Sequence, residues 1–118
     1  MAASLGRQRR LLNSAQFSAV FAHRKSIHGK YFSIHATRNA LDHPRLGLAV
    51  SRRVSKKAVQ RNRIKRQIRE SFRLHLVKLP AIDLVVVTKA GCAEQVNQAL
   101  RVELDRLWYR ASEKCENY

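Results

Sequence analysis

An α+β domain built on one mixed sheet is what this sequence predicts, and three observations predict it. Tyr31-Phe-Ser-Ile-His-Ala-Thr37 and Arg45-Leu-Gly-Leu-Ala-Val-Ser51 alternate in side-chain character with the two-residue period of half-buried strands. Ile82-Asp-Leu-Val-Val-Val-Thr88 is β-branched and nearly continuous in apolar character, as a central strand covered on both faces should be. Between these strands Ile64, Ile68 and Phe72 recur at every fourth residue, which places them on one face of a helix. Strand, helix and strand make a βαβ unit. A hairpin expected from the two alternating stretches adds the antiparallel part of the sheet.

The elements follow in chain order. Arg7, Arg9 and Arg10 give residues 1–12 the character of a basic arm, expected to be flexible, at the start of a single domain spanning 1–118. Asn13 or Ser14 is a candidate N-cap for a helix over Ala15-Gln-Phe-Ser-Ala-Val-Phe-Ala22. Phe17 and Phe21 lie four apart on that helix; they serve either as core residues or as the lining of an RNA groove. Ser26 to Lys30 reads as a polar turn. In the first strand Phe32, Ile34 and Ala36 share one face, and Tyr31, Ser33 and His35 the other. After a loop holding Asn39, Asp42 and Pro44, the second strand turns Leu46, Leu48 and Val50 inward, leaving a small, polar opposite face.

The helix that carries Ile64, Ile68 and Phe72 is expected to be capped at Ser55 and to finish near His75 to Lys78, where Leu79-Pro80 blocks continuation. Lys56 and Lys57 then stand at its N-terminal end, where the macrodipole disfavours cations by a few tenths of a kcal/mol each, on the order of 0.3. Stability does not explain them. A phosphate seated on the free backbone N–H groups beside these lysines does. Lys89-Ala-Gly91 turns out of the third strand. From about Asn97, Leu100, Leu104, Leu107, Trp108 and Ala111 describe a closing amphipathic helix with Arg101, Glu103, Asp105 and Arg110 expected in solvent.

Charge is the strongest global signal. The 118 residues carry 24 Lys+Arg against 8 Asp+Glu, a formal net charge of +16, which points to nucleic acid or an anionic membrane surface. The charge is concentrated between Val50 and Arg73, where Arg52, Arg53, Lys56, Lys57, Arg61, Arg63, Lys65, Arg66, Arg69 and Arg73 face one acid, Glu70. Asn62, Lys65, Arg66, Arg69 and Arg73 fall on a helical face adjoining the apolar one. At 45% hydrophobic residues the chain can build a core of its own.

Several classes are excluded. No apolar run approaches the ~18 residues of a membrane-crossing helix. Cys92 and Cys115 are too few for a disulfide framework and stand in no zinc-binding spacing, so both read as ordinary thiols. The acid-free opening, Met1 to Ala40, superficially resembles a transit peptide, but it also supplies fold elements. There is no Gly-rich phosphate loop, no nucleophile elbow and no visible carboxylate pair, and the five histidines are scattered. The composition is that of a binder. A structural or ribosomal RNA-binding protein is one alternative it leaves open; a DNA-binding protein with the basic helix in a major groove is another.

Arg45-Leu-Gly-Leu-Ala-Val-Ser-Arg-Arg-Val54 followed by Ala58-Val-Gln-Arg-Asn-Arg-Ile-Lys-Arg-Gln-Ile-Arg-Glu-Ser-Phe72 resembles the signature of the bacterial ribonuclease P protein component. The likeness extends to Phe17-Ser-Ala-Val-Phe21, the strand Tyr31 to Ala36, and Asp83-Leu-Val-Val-Val87 with its closing helix. The resemblance implies an α/β sandwich with a central mixed sheet, an N-terminal helix, a C-terminal helix, and the long basic helix in a left-handed βαβ crossover, against the usual hand. It implies a cytoplasmic ribonucleoprotein endonuclease that removes the 5′ leader of precursor tRNA. The RNA subunit and its bound magnesium perform the hydrolysis, and the protein is a cofactor without a catalytic residue, a membrane or an obligate protein partner. It further implies that Arg52, Arg53, Lys56, Lys57, Arg61, Asn62, Arg63, Lys65, Arg66 and Arg69 meet the catalytic RNA. Phe17, Phe21, Phe32, Ser33, His35, Ala49 and Ser51 would line a cleft for the single-stranded leader. His35 stands where some members carry Tyr.

Overall fold

The most apolar segment of the chain sits at the centre of the fold. In the computed structural model, which describes residue 10 and residues 14–22 and 25–116, Ile82–Thr88 lies between two strands of a four-stranded sheet. The elements are α1 (Ser14–Ala22), β1 (Ser26–His28), β2 (Phe32–Arg38), β3 (Arg45–Ala49), α2 (Ala58–Leu74), β4 (Ile82–Thr88) and α3 (Asn97–Glu116). Short 3₁₀ turns follow α2 at Leu76–Lys78 and β4 at Cys92–Glu94. The sheet order is β1-β2-β4-β3. Arg10 makes an isolated parallel bridge to Leu46; the rest of the basic arm, and Asn13 as a cap, lie outside the described residues.

The βαβ unit forms as expected: β3 and β4 pair in parallel, with Leu46 opposite Leu84 and Leu48 opposite Val86, and α2 connects them. The expected hairpin does not. β4 intervenes, pairing antiparallel with β2 from Phe32↔Thr88 to Arg38↔Ile82. The reason is burial: β2 and β3 each have one polar face, whereas β4 is apolar almost throughout and gains most by taking a neighbour on both sides. Asp83 reinforces this order. Its carboxylate takes two hydrogen bonds from Arg45, at 2.8 and 2.6 Å, and one from Asn39 at 2.8 Å, tying β3 and the β2–β3 loop to the start of β4.

The segment read as a polar turn, Ser26 to Lys30, instead begins with the edge strand β1, whose Ile27 pairs with Ile34 and turns into the core. One face of the sheet supports that core. Phe32, Ile34 and Ala36 of β2, Leu46 of β3 and Leu84 and Val86 of β4 meet Ile64, Ile68 and Phe72 of α2 and Leu100, Leu104, Leu107, Trp108 and Ala111 of α3. Trp108 and Phe72 meet edge to face at 5.7 Å, and Trp108 Nε1 donates to Ser71 Oγ at 2.7 Å, so the indole is both packed and satisfied. Cys92 is a free buried thiol whose pKa burial pushes up to about 11, which keeps it protonated and unreactive.

Glu103 overturns an expectation. It does not face solvent: its carboxylate accepts the backbone N–H groups of Lys30 (2.6 Å), Tyr31 (2.7 Å) and Phe32 (2.9 Å), clamping the β1–β2 turn onto α3. Arg101 is likewise partly buried and donates to Gln67 at 3.2 Å, and Asp105, though exposed, accepts from Ser71 Oγ at 2.8 Å. Helical periodicity assigned these residues to the outer face without showing that a loop and α2 pass over it.

Candidate nucleic-acid interface

Two cationic or aromatic surfaces emerge from this scaffold, and they lie on different elements. The first surrounds the N-terminal end of α2. Helix α2 is capped two residues later than Ser55: Lys57 occupies the N-cap without a side-chain cap, and Ser55 Oγ instead accepts Lys57 N–H at 3.2 Å. Ser55 therefore shapes the turn before the helix. No acid stands in the first helical turn, so its N–H groups and the positive end of the helix dipole are left beside further positive charge. Arg52, Arg53, Lys56 and Arg61 line an open cavity of about 630 Å³ at this end. Arg61 is braced by donating to Ser55 O at 2.9 Å.

Along α2, Asn62, Arg66 and Arg69 are exposed and Lys65 is half-buried, while Ile64 and Ile68 are fully buried on the opposite side. Lys57 is exposed beside Lys56. Arg63 is different. Its guanidinium donates to Gln60 Oε1 (3.0 Å), Ala93 O (3.0 Å), Gln95 O (3.1 Å) and Asn97 Oδ1 (2.7 Å). It binds the loop that leads into α3, and four of its five N–H donors are engaged inside the protein.

The second surface is the sheet face turned away from the core. The strand registers set out its rows: Ser33, Val87 and Ala49 in one, His35, Val85 and Gly47 in the next, Thr37, Asp83 and Arg45 in the last. Helix α1 rests on part of this face. Val20 is fully buried against Val85, with Phe17, Ala49 and Val87 packed around them. Phe17 thus has a mixed character, half core and half surface, whereas Phe21 remains 41% exposed and its ring lies 4.8 Å from that of His35, tilted by 54°. His28 of β1 meets His35 edge to face at 6.5 Å. Burial, and secondly the neighbouring His28, hold the pKa of His35 below its ordinary value, which favours the neutral ring.

The structure gathers Phe17, Phe21, Ser33, His35 and Ala49 on this face, although Ser33 is largely covered. Ser51 lies just past β3, exposed in the turn that leads to α2, where its Oγ accepts Arg53 N–H at 3.3 Å. Phe32 does not belong to the cleft. It is fully buried in the main core, because successive strand residues point to opposite faces and Ser33 and His35 take the cleft side. Sequence reasoning missed Val20, whose burial fixes α1 on the sheet, and His28, because β1 was not recognised as a strand. The apolar Ile27 between two polar residues was the available signal.

Among the described residues, no three or more His, Cys, Asp or Glu side chains gather where they could hold a metal ion. Among the same residues no helix is long and apolar enough to cross a membrane. Asp83, the acid of the open sheet face, is already bound by Arg45 and Asn39. The described residues therefore offer anion-binding and stacking groups, with no cluster of donors for a divalent cation.

Known proteins are similar to this chain in sequence and in fold. The family model described as Ribonuclease P matches residues 5–112. A ribonuclease P protein component from Idiomarina loihiensis is 47% identical over 117 residues, covering 98% of this chain and 93% of the relative. One from Escherichia coli is 45% identical over 104 residues, covering 88% and 87%. Among solved structures, the ribonuclease P protein of Staphylococcus aureus superposes with a TM-score of 0.83 at 29% identity, over 87% of this chain and 94% of that one. The Thermotoga maritima ribonuclease P protein, in complex with 1-(4-fluorophenyl)-2-thiourea, does so with a TM-score of 0.74 at 33% identity, over 80% and 92%. The sequence match across nearly the whole chain and the shared mixed sheet with its three helices lead to one conclusion: this chain belongs to the ribonuclease P protein family.

Proposed function

We propose that the chain is the protein cofactor of ribonuclease P, acting in the cytoplasm on precursor tRNA. It binds the catalytic RNA subunit through the N-terminal half of α2 and holds the 5′ leader on the open sheet face. The observation that carries this reading is the separation of two chemistries: a cationic cavity with uncapped helix N–H groups on one side, exposed aromatic rings over a sheet on the other. The first suits phosphates of a folded RNA. The second suits unpaired bases, because stacking is worth roughly 1–3 kcal/mol per base and tolerates any base.

Arg52, Arg53, Lys56, Lys57, Arg61, Asn62, Lys65, Arg66 and Arg69 form the RNA-subunit surface in this reading, with Arg63 supporting it from within. Phe17, Phe21, His35, Ala49 and Ser51 form the leader surface. Magnesium belongs to the RNA in this reading. The protein raises the local cation density where RNA phosphates converge, which lowers the magnesium needed for assembly.

Reconstitution tests the proposal. The chain is added to a bacterial ribonuclease P RNA at low magnesium with precursor tRNA as substrate; cleavage is expected to increase, and no increase would refute the cofactor role. Arg66→Ala should weaken RNA-subunit binding and make the salt dependence of log affinity shallower by roughly 1. Phe21→Ala should spare assembly and weaken only leader-containing substrate. Identical effects of the two substitutions would refute the division into two surfaces.

A further inference from the structure

We infer that His28, on the edge strand β1, is a further nucleotide-binding residue that extends the single-strand surface from His35 to the border of the sheet. The inference rests on the leader-binding role proposed for that face. Three rings form a chain across it: Phe21 to His35 at 4.8 Å, and His35 to His28 at 6.5 Å. The β1–β2 register places His28 opposite Ser33 and Ser26 opposite His35. Ile27, between them, is buried in the main core, so the side chains of Ser26 and His28 emerge on the cleft side.

His28 is exposed, and its Nε2 lies 3.2 Å from Ser26 Oγ, which holds the ring in place. At the other side of the face Val20 and Phe17 cover Val85, Val87 and Ala49. At the His28 side β1 is the last strand in the sheet order, so the surface there opens to solvent. Two cations stand near it, and the acid at the adjacent turn, Glu103, is taken up by the N–H groups of Lys30, Tyr31 and Phe32. Lys114 of α3 donates to Ser26 O at 2.9 Å, and Lys89, just past β4, donates to Gly29 O at 2.7 Å, so two ammonium groups flank the residues on either side of His28. α1 presents no ionisable residue. The acid on this face, Asp83, lies at its far end, in the row beyond His35, and is paired with Arg45.

The His28 and His35 rings stand at 89° to each other. A base stacked on His28 therefore cannot continue the stack formed on His35, and the RNA must turn at this edge. His28 is reached only by a leader long enough to pass His35, and that makes its contribution depend on length.

The experiment uses the reconstituted holoenzyme and a series of precursor tRNAs whose leaders lengthen one nucleotide at a time, with Kd measured for the wild type, His28→Ala, His28→Phe and Phe21→Ala. His28→Ala is expected to weaken binding about five- to tenfold beyond a threshold leader length and to leave shorter leaders unaffected, while His28→Phe retains affinity. Equal loss at every length, or no loss at any length, overturns the inference. Phe21→Ala separates the two ideas. Weakening by Phe21→Ala with no effect of His28→Ala overturns the role of His28 alone, whereas no effect of Phe21→Ala at any length overturns the leader-binding face and this extension of it together.

Discussion

Arg63 offers the sharpest separation between what a basic residue on α2 does for RNA and what it does for the fold. Replacing it with Ala removes four donated hydrogen bonds, two of which go to carbonyls in the loop Ala93–Gln95 and one to Asn97 at the start of α3. A hydrogen bond from a charged donor contributes about 1.5–3 kcal/mol, but these four share one half-buried side chain and water replaces part of what is lost. A net loss of about 2–3 kcal/mol is expected, equivalent to a fall in Tm of roughly 6–12 °C for a domain of this size. Thermal unfolding by circular dichroism measures it. RNA-subunit binding is then measured below the lowered Tm as a function of salt, where Arg63→Ala should keep the wild-type slope and Arg66→Ala should not. Arg63→Lys should recover only part of the stability, because one ammonium cannot span acceptors arranged for a planar fork. A Tm within about 2 °C of wild type, combined with a slope shallower by roughly 1, would show that Arg63 is an RNA contact and refute its structural assignment.

Glu103→Gln should lower the urea midpoint without changing m. One amide oxygen cannot serve three N–H groups, and a loss of about 2–3 kcal/mol is expected. Gly29→Ala should also destabilise, since an added Cβ would lie 2.8 Å from Glu103 Cδ. The lowered pKa of His35 gives a pH prediction: the unfolded chain binds this proton more readily, so stability is complete above the ordinary histidine value and declines as pH falls from there through the lower folded value. His35→Phe should abolish that part of the acid-side decline, and an unchanged profile in acid denaturation titrations would count against it. Trp108→Phe should cost about 1–2 kcal/mol in equilibrium unfolding, through loss of the bond to the buried Ser71 hydroxyl.

Much was legible before the fold was known, because it depends on periodicity and charge. Ile64, Ile68 and Phe72 beneath a basic face, the alternation of β2 and β3, the continuous apolar β4 and the buried Trp108 are local patterns that any packing must respect. The charge between Val50 and Arg73 likewise required an anionic partner whatever the topology. The sequence by itself therefore determined most of the elements and their core-facing residues, and its charge pointed to an anionic partner. Tertiary structure decided the rest, because it depends on which segments meet across long separations in the chain. It placed β4 between β2 and β3, recruited Ile27 into an edge strand, and put Glu103 over the β1–β2 turn. It sent Phe32 to the core and left Phe21 beside His35 and His28. It also engaged Arg63, expected to meet RNA, as an internal brace, since four acceptors from the loop and helix ends converge on that one guanidinium.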